Sequence, residues 1–171
     1  ISNGESLLIF SQFTDICDAI NKMLKTEFGM HTYYLHGGTS RKKRETMINE
    51  FQDEQSKPGV FILSLKAGGV GITLTKANHV IHFDRWWNPA IENQATDRAY
   101  RIGQQKTVFA YKYITMGTIE EKIDKMLEDK QRVADLVVGS DESWLSKLDS
   151  KSFIDLIKLS KVNSEEAYET S

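Results

Sequence analysis

The period of the hydrophobic positions changes repeatedly along this chain. Ser6 to Phe10 is a short apolar run suited to a buried parallel strand. From Phe13 to Phe28, apolar residues at 13, 16, 17, 20, 23, 24 and 28 mark one stripe of a helix, and Gly29 ends it. His31 to Leu35 reads as a second strand. Ser40 caps a helix that turns Met47, Ile48 and Phe51 inward. Val60 to Leu65 and His79 to Phe83 read as further strands, and Thr107 to Ile114 alternates as a fifth. Pro89, behind Asn88 as N-cap, opens a helix that runs to about Tyr100. Gly117 to Val137 reads as a long helix capped by Thr118, with Glu121 three residues on. Strands alternating with helices predict an α/β fold, a parallel sheet covered on both faces.

Composition narrows the class. One domain is the default at 171 residues, and the 40% apolar fraction suffices for a core. Cys17 is the only cysteine, which excludes an intramolecular disulfide and points to a reducing compartment. No apolar run approaches a membrane span and no signal peptide is visible, so the expectation is an intracellular protein without a membrane partner. Net charge is −2, but unevenly spread. Residues 1–115 carry 14 Lys and Arg against 11 Asp and Glu, whereas residues 116–171 carry 8 against 13. That pattern fits local phosphate contact better than a polybasic arm. The first residue is Ile1 and a strand follows almost at once, as in a fragment of a longer protein.

Candidate chemistry concentrates where strands end. Ser11-Gln12, His36-Gly37-Gly38 and the stretch from Ser64 to Gly71 fall there. Glycines at 68, 69 and 71, beside Lys66 and ahead of Thr73, read as a flexible turn or as a nest of N–H groups for phosphate, and phosphate is the better reading. Arg41, Lys42, Lys43 and Arg44 oppose the helix dipole, so they read equally as an ordinary charged helix start or as part of the same surface. On the helix after Pro89, Gln94, Asp97, Arg98 and Arg101 are spaced to share one face. Trp86 and Trp87 cannot both be buried on one face: one is expected in the core, the other at an interface. His31, His36, His79 and His82 lack metal-ligand spacing.

Gln94-x-x-Asp97-Arg98-x-x-Arg101-x-Gly103-Gln104, preceded by Trp86-Trp87-Asn88-Pro89, resembles motif VI of the Swi/Snf-type ATPases, a branch of the superfamily-two helicases. Leu7 to Phe13 is similar to their motif IV, His36-Gly37-Gly38-Thr39-Ser40 to the motif that follows it, and Leu63 to Leu74 to motif V. Aspartate at position 97 is the pattern of this branch.

The resemblance covers roughly residues 6 to 115 and implies the second, C-terminal RecA-like lobe of an ATP-dependent double-stranded DNA translocase. It implies a lobe at 1–115, brace helices at 116–162 and a disordered tail at 163–171. Arg98 and Arg101 would be arginine fingers, with Gln94, Asp97 and Gly71 on the nucleotide side and Asp97 holding an arginine. Ser11, Gln12, Gly37, Gly38, Arg41, Ser64, Lys66, Ala67, Gly68 and Thr73 would meet the DNA backbone. The implied partners are duplex DNA, the N-terminal lobe of the same polypeptide and a DNA-bound protein. The acidic ending resembles archaeal or bacterial members more than chromatin remodellers. ATP and Mg²⁺ would be held mainly by the first lobe, because no Gly-x-x-x-x-Gly-Lys-Thr loop occurs, and Asp53-Glu54 and Asp141-Glu142 read as solvated. A degenerate DNA-binding lobe and a stand-alone phosphotransferase are the alternatives. The motif VI residues argue against the first, the missing nucleotide loop against the second.

Overall fold

Alternation within each strand decides the architecture. The computed structural model describes residues 4–64, 71–86 and 88–134, together with Ile154 and Lys158. Five strands, β1 (Ser6–Ser11), β2 (Thr32–Leu35), β3 (Val60–Ser64), β4 (Ala77–His82) and β5 (Phe109–Lys112), form one sheet in the order β2-β3-β1-β4-β5, every pair parallel. Leu8, Phe10, Phe61 and Leu63 point to one side, where they pack with Met47, Phe51, Ala95 and Ala99. Ile9, Val60 and Ile62 point to the other, against Cys17 and Ile20. Every residue of β3 is buried, as both-face burial of a central parallel strand requires.

Helix α1 (Thr14–Thr26) covers the second face and α2 (Arg41–Gln52) the first. Ser40 Oγ accepts the Lys43 N–H at 3.4 Å, the expected N-cap. The α1 stripe is narrower than its sequence pattern. Phe13 precedes the helix and Phe28 follows it, and both are more than half exposed; Met23 lies at the stripe's edge and is also exposed. Gly29 stops the chain with φ of 58°, a value that favours glycine.

Helix α3 (Pro89–Thr96) starts at the expected proline but ends four residues early. Residues 97–101 form turns, marked by the 3.3 Å bond from Arg98 N to Ala95 O and the 3.0 Å bond from Ala99 N to Thr96 O. The expected single helical face of Gln94, Asp97, Arg98 and Arg101 is therefore corrected: only Gln94 lies on the helix. Strand β5 occupies a sheet edge, shorter than its alternating pattern, with all four residues exposed.

The chain divides into two compact units, Ile1–Trp86 with Ala90–Tyr113, and Trp87–Pro89 with Ile114–Ser171. In the second, α4 (Ile119–Ala134) begins after Gly117, and the Glu121 carboxylate accepts the Gly117 N–H at 2.7 Å. Thr118 Oγ1 accepts the Glu120 N–H at 3.2 Å, so the capping residues are those expected, with Glu121 reaching one residue further back. Val137, Trp144 and most of the expected later helices lie outside the described residues; Ile154 is helical, and its carbonyl accepts the Lys158 N–H. Among the described residues no helix is long and apolar enough to cross a membrane.

His82 closes β4 beneath α3. Its ring lies 5.8 Å from that of Phe10, and Nε2 is 2.9 Å from Thr96 Oγ1. Burial pushes its pKa down to about 4 from 6.5; Glu92 partly opposes the shift, while Lys112 and Arg85 add to it. Below 6.5 the unfolded chain takes a proton that the folded imidazole refuses. Stability therefore falls as pH drops from 6.5 toward 4, and this contribution levels off below that. Denaturant melts at about pH 7 and about pH 4 should show a loss on the order of 3 kcal/mol in the wild type beyond that in His82→Gln. Equal losses in the two proteins would refute a neutral, buried His82.

Candidate functional site

The parallel register aligns strand ends: Leu35 with Leu63, Ser64 with Ser11, and Phe10 with His82. The loops leaving β1, β2 and β4 therefore share one edge of the sheet. There the Ser11 hydroxyl bonds Asp84 Oδ2, and the Gln12 N–H donates to Asp84 Oδ1 at 3.1 Å. Gln12 Nε2 donates to Arg85 O at 2.9 Å. Ser11 and Gln12 thus tie β1 to the turn after β4. Ser11 and Ser64 are buried, whereas Gly37, Gly38 and Arg41 are exposed. Arg41 pairs with Glu45 at 2.9 Å on the surface. His36 organises the glycine turn, its Nδ1 accepting the Gly38 N–H at 3.2 Å and its N–H donating to Thr39 Oγ1 at 3.1 Å. Lys66, Ala67, Gly68 and Trp87 lie outside the described residues.

Helix α3 is anchored by a residue the sequence did not single out. Glu92 is 1% exposed and Arg85 is 4% exposed. Arg85 Nη1 donates to both Glu92 oxygens, at 3.0 and 2.7 Å. The Trp86 N–H reaches Oε1 at 2.9 Å, and Lys112 Nζ lies 3.0 Å from Oε2. One carboxylate thus joins the turn after β4, the start of α3 and the end of β5.

The arginines follow directly. Arg98 O accepts the Leu74 N–H at 2.8 Å. Its half-buried guanidinium is held below the usual arginine range by burial first, then by the positive charges of Arg101 and Arg44. Arg101 Nη1 donates to Thr73 Oγ1 at 2.8 Å and to Gly71 O at 3.5 Å. Thr73, not Asp97, receives this guanidinium; Asp97 and Gln94 are exposed. Gly71 has φ of 78°, so a side chain there would strain the backbone. The structure brings Arg98, Arg101, Gly71 and Thr73 together and adds Arg44. The positive charges of Arg101 and Arg44 beside Arg98 make this a place where an anion is favoured.

Two further side chains stiffen this region. Gln104 donates to three backbone carbonyls, and Lys76 Nζ reaches Asp53 O at 2.6 Å and Ser56 O at 2.8 Å beyond α2. Burial lowers the Lys76 pKa. Gln52 completes the join, donating to Thr75 Oγ1 at 3.1 Å and accepting the Lys76 N–H at 3.0 Å.

With this strand order and these edge loops, the first unit is a RecA-like lobe. The chain belongs to the helicase conserved C-terminal domain family, whose pattern matches residues 1–103, and within it to the Swi/Snf type. It is 49% identical over 93% of its length to YwqA of Bacillus subtilis, provisionally named an ATP-dependent helicase/translocase. It is 39% identical over 94% of its length to the DNA repair protein RAD5 of Cryptococcus neoformans. It spans only 17% and 13% of those relatives. Among solved structures, the Sulfolobus solfataricus SWI2/SNF2 ATPase core matches with a TM-score of 0.76 and 41% identity, over 94% of this chain and 32% of that one. The same core in complex with double-stranded DNA matches with 0.75 and 40%, over 94% and 33%.

Glu92→Ala should lower the unfolding free energy by about 3–5 kcal/mol, because it strips a buried guanidinium of its carboxylate. Lys112→Met should cost about 1 kcal/mol or less, since that amine is partly solvated. Urea titration of both variants checks the ranking; equal effects would show that burial does not set the strength of this network.

Proposed function

We propose that this chain is the second lobe of an ATP-driven double-stranded DNA translocase, in which Arg98 and Arg101 act on the phosphates of ATP held by a first lobe. The observation that carries this reading is the gathering of both arginines on one stretch, Arg101 on Thr73 and Gly71 and Arg98 on Leu74. A phosphoryl group in transfer spreads negative charge over its oxygens, and a planar guanidinium fork stabilises it as it develops. Thr73 orients Arg101, and the bond from Leu74 N fixes the backbone of Arg98. Gln94 and Asp97 lie exposed on the same run of chain and would face the nucleotide side. The Mg²⁺ of such chemistry would be held with the nucleotide by the other lobe, as expected of a sequence without a Gly-x-x-x-x-Gly-Lys-Thr loop.

Contact with duplex DNA is supported by the family and by the exposed Gly37-Gly38 turn and Arg41 at the carboxyl edge of the sheet. Lys66, Ala67 and Gly68 are proposed to extend that surface. Because hydrolysis needs the two lobes to close, DNA held here would couple chemistry to lobe motion.

In the two-lobe enzyme, Arg98→Ala and Arg101→Ala should each lower DNA-stimulated kcat by on the order of 10³-fold or more, while duplex affinity changes by less than about 3-fold. Arg→Lys should rescue poorly, because an ammonium lacks the fork. Steady-state hydrolysis with and without duplex, beside a binding titration, gives the answer. Near wild-type turnover in both variants would leave a DNA-binding lobe without a role in hydrolysis.

A further inference from the structure

Gln104 makes the densest set of bonds around the arginines. Its Nε2 donates to Thr75 O at 2.9 Å, Ala77 O at 2.9 Å and Ala99 O at 3.0 Å, and its Oε1 accepts the Lys106 N–H at 2.9 Å. Carbonyls only accept, so the NH₂ group must face them, and its two hydrogens are shared among three oxygens. Of the uncharged side chains of this length, only a glutamine amide offers two hydrogens on one side and an acceptor on the other. The Gln104 N–H bonds Arg101 O at 2.9 Å, and Gly103 takes φ of 104° to turn the chain back. The amide therefore closes the loop 98–104 on itself and fastens it to residues 75–77. That segment follows directly on Thr73, which receives Arg101, and Leu74, whose N–H holds Arg98.

We infer that Gln104 is a positioning residue for hydrolysis: it sets where Arg98 and Arg101 stand without touching nucleotide or DNA. This rests on the reading of both arginines as groups that act on the transferred phosphate. A misplaced finger loses contact with charge that exists only in the transition state, so kcat suffers and ground-state binding does not.

The test is Gln104→Met in the two-lobe enzyme, a change that keeps length and removes every polar atom of the amide. The kcat should fall by roughly 10-fold or more, with the KM for ATP and duplex affinity within about 2-fold of wild type. Affinity for ADP with aluminium fluoride, a transition-state mimic, should fall with kcat, while that for a non-hydrolysable ATP analogue holds. Combined with Arg101→Ala, Gln104→Met should add less than its full single-variant loss, because one of the two groups it positions is already gone. Should Gln104→Met not fold, Gln104→Glu serves: its carboxylate faces three carbonyls with no donor, and protonation restores one, so its activity relative to wild type should climb as pH falls. Unchanged kcat in a folded Gln104 variant, an additive double variant, or equal loss of duplex binding and turnover would overturn the inference. Near wild-type hydrolysis by Arg101→Ala and Arg98→Ala would instead overturn the reading of the arginines, which those single variants decide without Gln104.

Discussion

A carboxylate buried under a short helix is the constraint on which the lobe's chemistry depends. Removing Glu92 from water is costly, and the cost is offset only by donors that meet its oxygens. Arg85, the Trp86 N–H and Lys112 supply them, and they come from the turn after β4 and from β5. Helix α3 has eight residues, too few to be stable alone. It is held where it is because those donors cannot be satisfied with the helix elsewhere. The chain enters the turn that carries Arg98 and Arg101 from that fixed start.

Beyond α3, main chain and hydroxyl groups hold the Arg101 side chain and the Arg98 backbone. The recorded partners of Arg101 are Thr73 Oγ1 and Gly71 O, and the Arg98 backbone is held by Leu74 N. Thr73 Oγ1 and Gly71 O fix the direction of the Arg101 guanidinium and are themselves neutral. His82, neutral through the physiological range, supports Thr96 from below without adding a charge of its own.

The sheet was legible in the sequence because strands buried on both faces are written as continuous apolar runs. Ser6 to Phe10 falls one residue short of β1, and the expected Val60 to Leu65 starts with β3, Leu65 itself lying outside the described residues. The arginine site was legible as a set of residues and not as a shape. The helical spacing of Gln94, Asp97, Arg98 and Arg101 continues past Thr96, but the backbone leaves the helix there, where Leu74 N captures Arg98 O. Spacing carries no trace of that capture. Glu92 was hidden because an acid in the first turn of a helix already has an ordinary explanation in the helix dipole. Gln104 and Lys76 were hidden because long polar side chains that fold back on main-chain oxygens leave no periodic mark.

The run from Gly71 to Lys76 has no regular secondary structure, yet its length is fixed as strictly as that of a strand. Thr73, Leu74, Thr75 and Lys76 all bond distant residues, among them Arg101, Arg98, Gln104 and Gln52. One inserted or deleted residue would put every one of those bonds out of phase at once. Surface loops usually absorb changes of length with little penalty. In this protein the irregular segment tolerates an insertion poorly, so variation in length between relatives should collect at the turns around Gly29 and Gln55 and avoid these six positions.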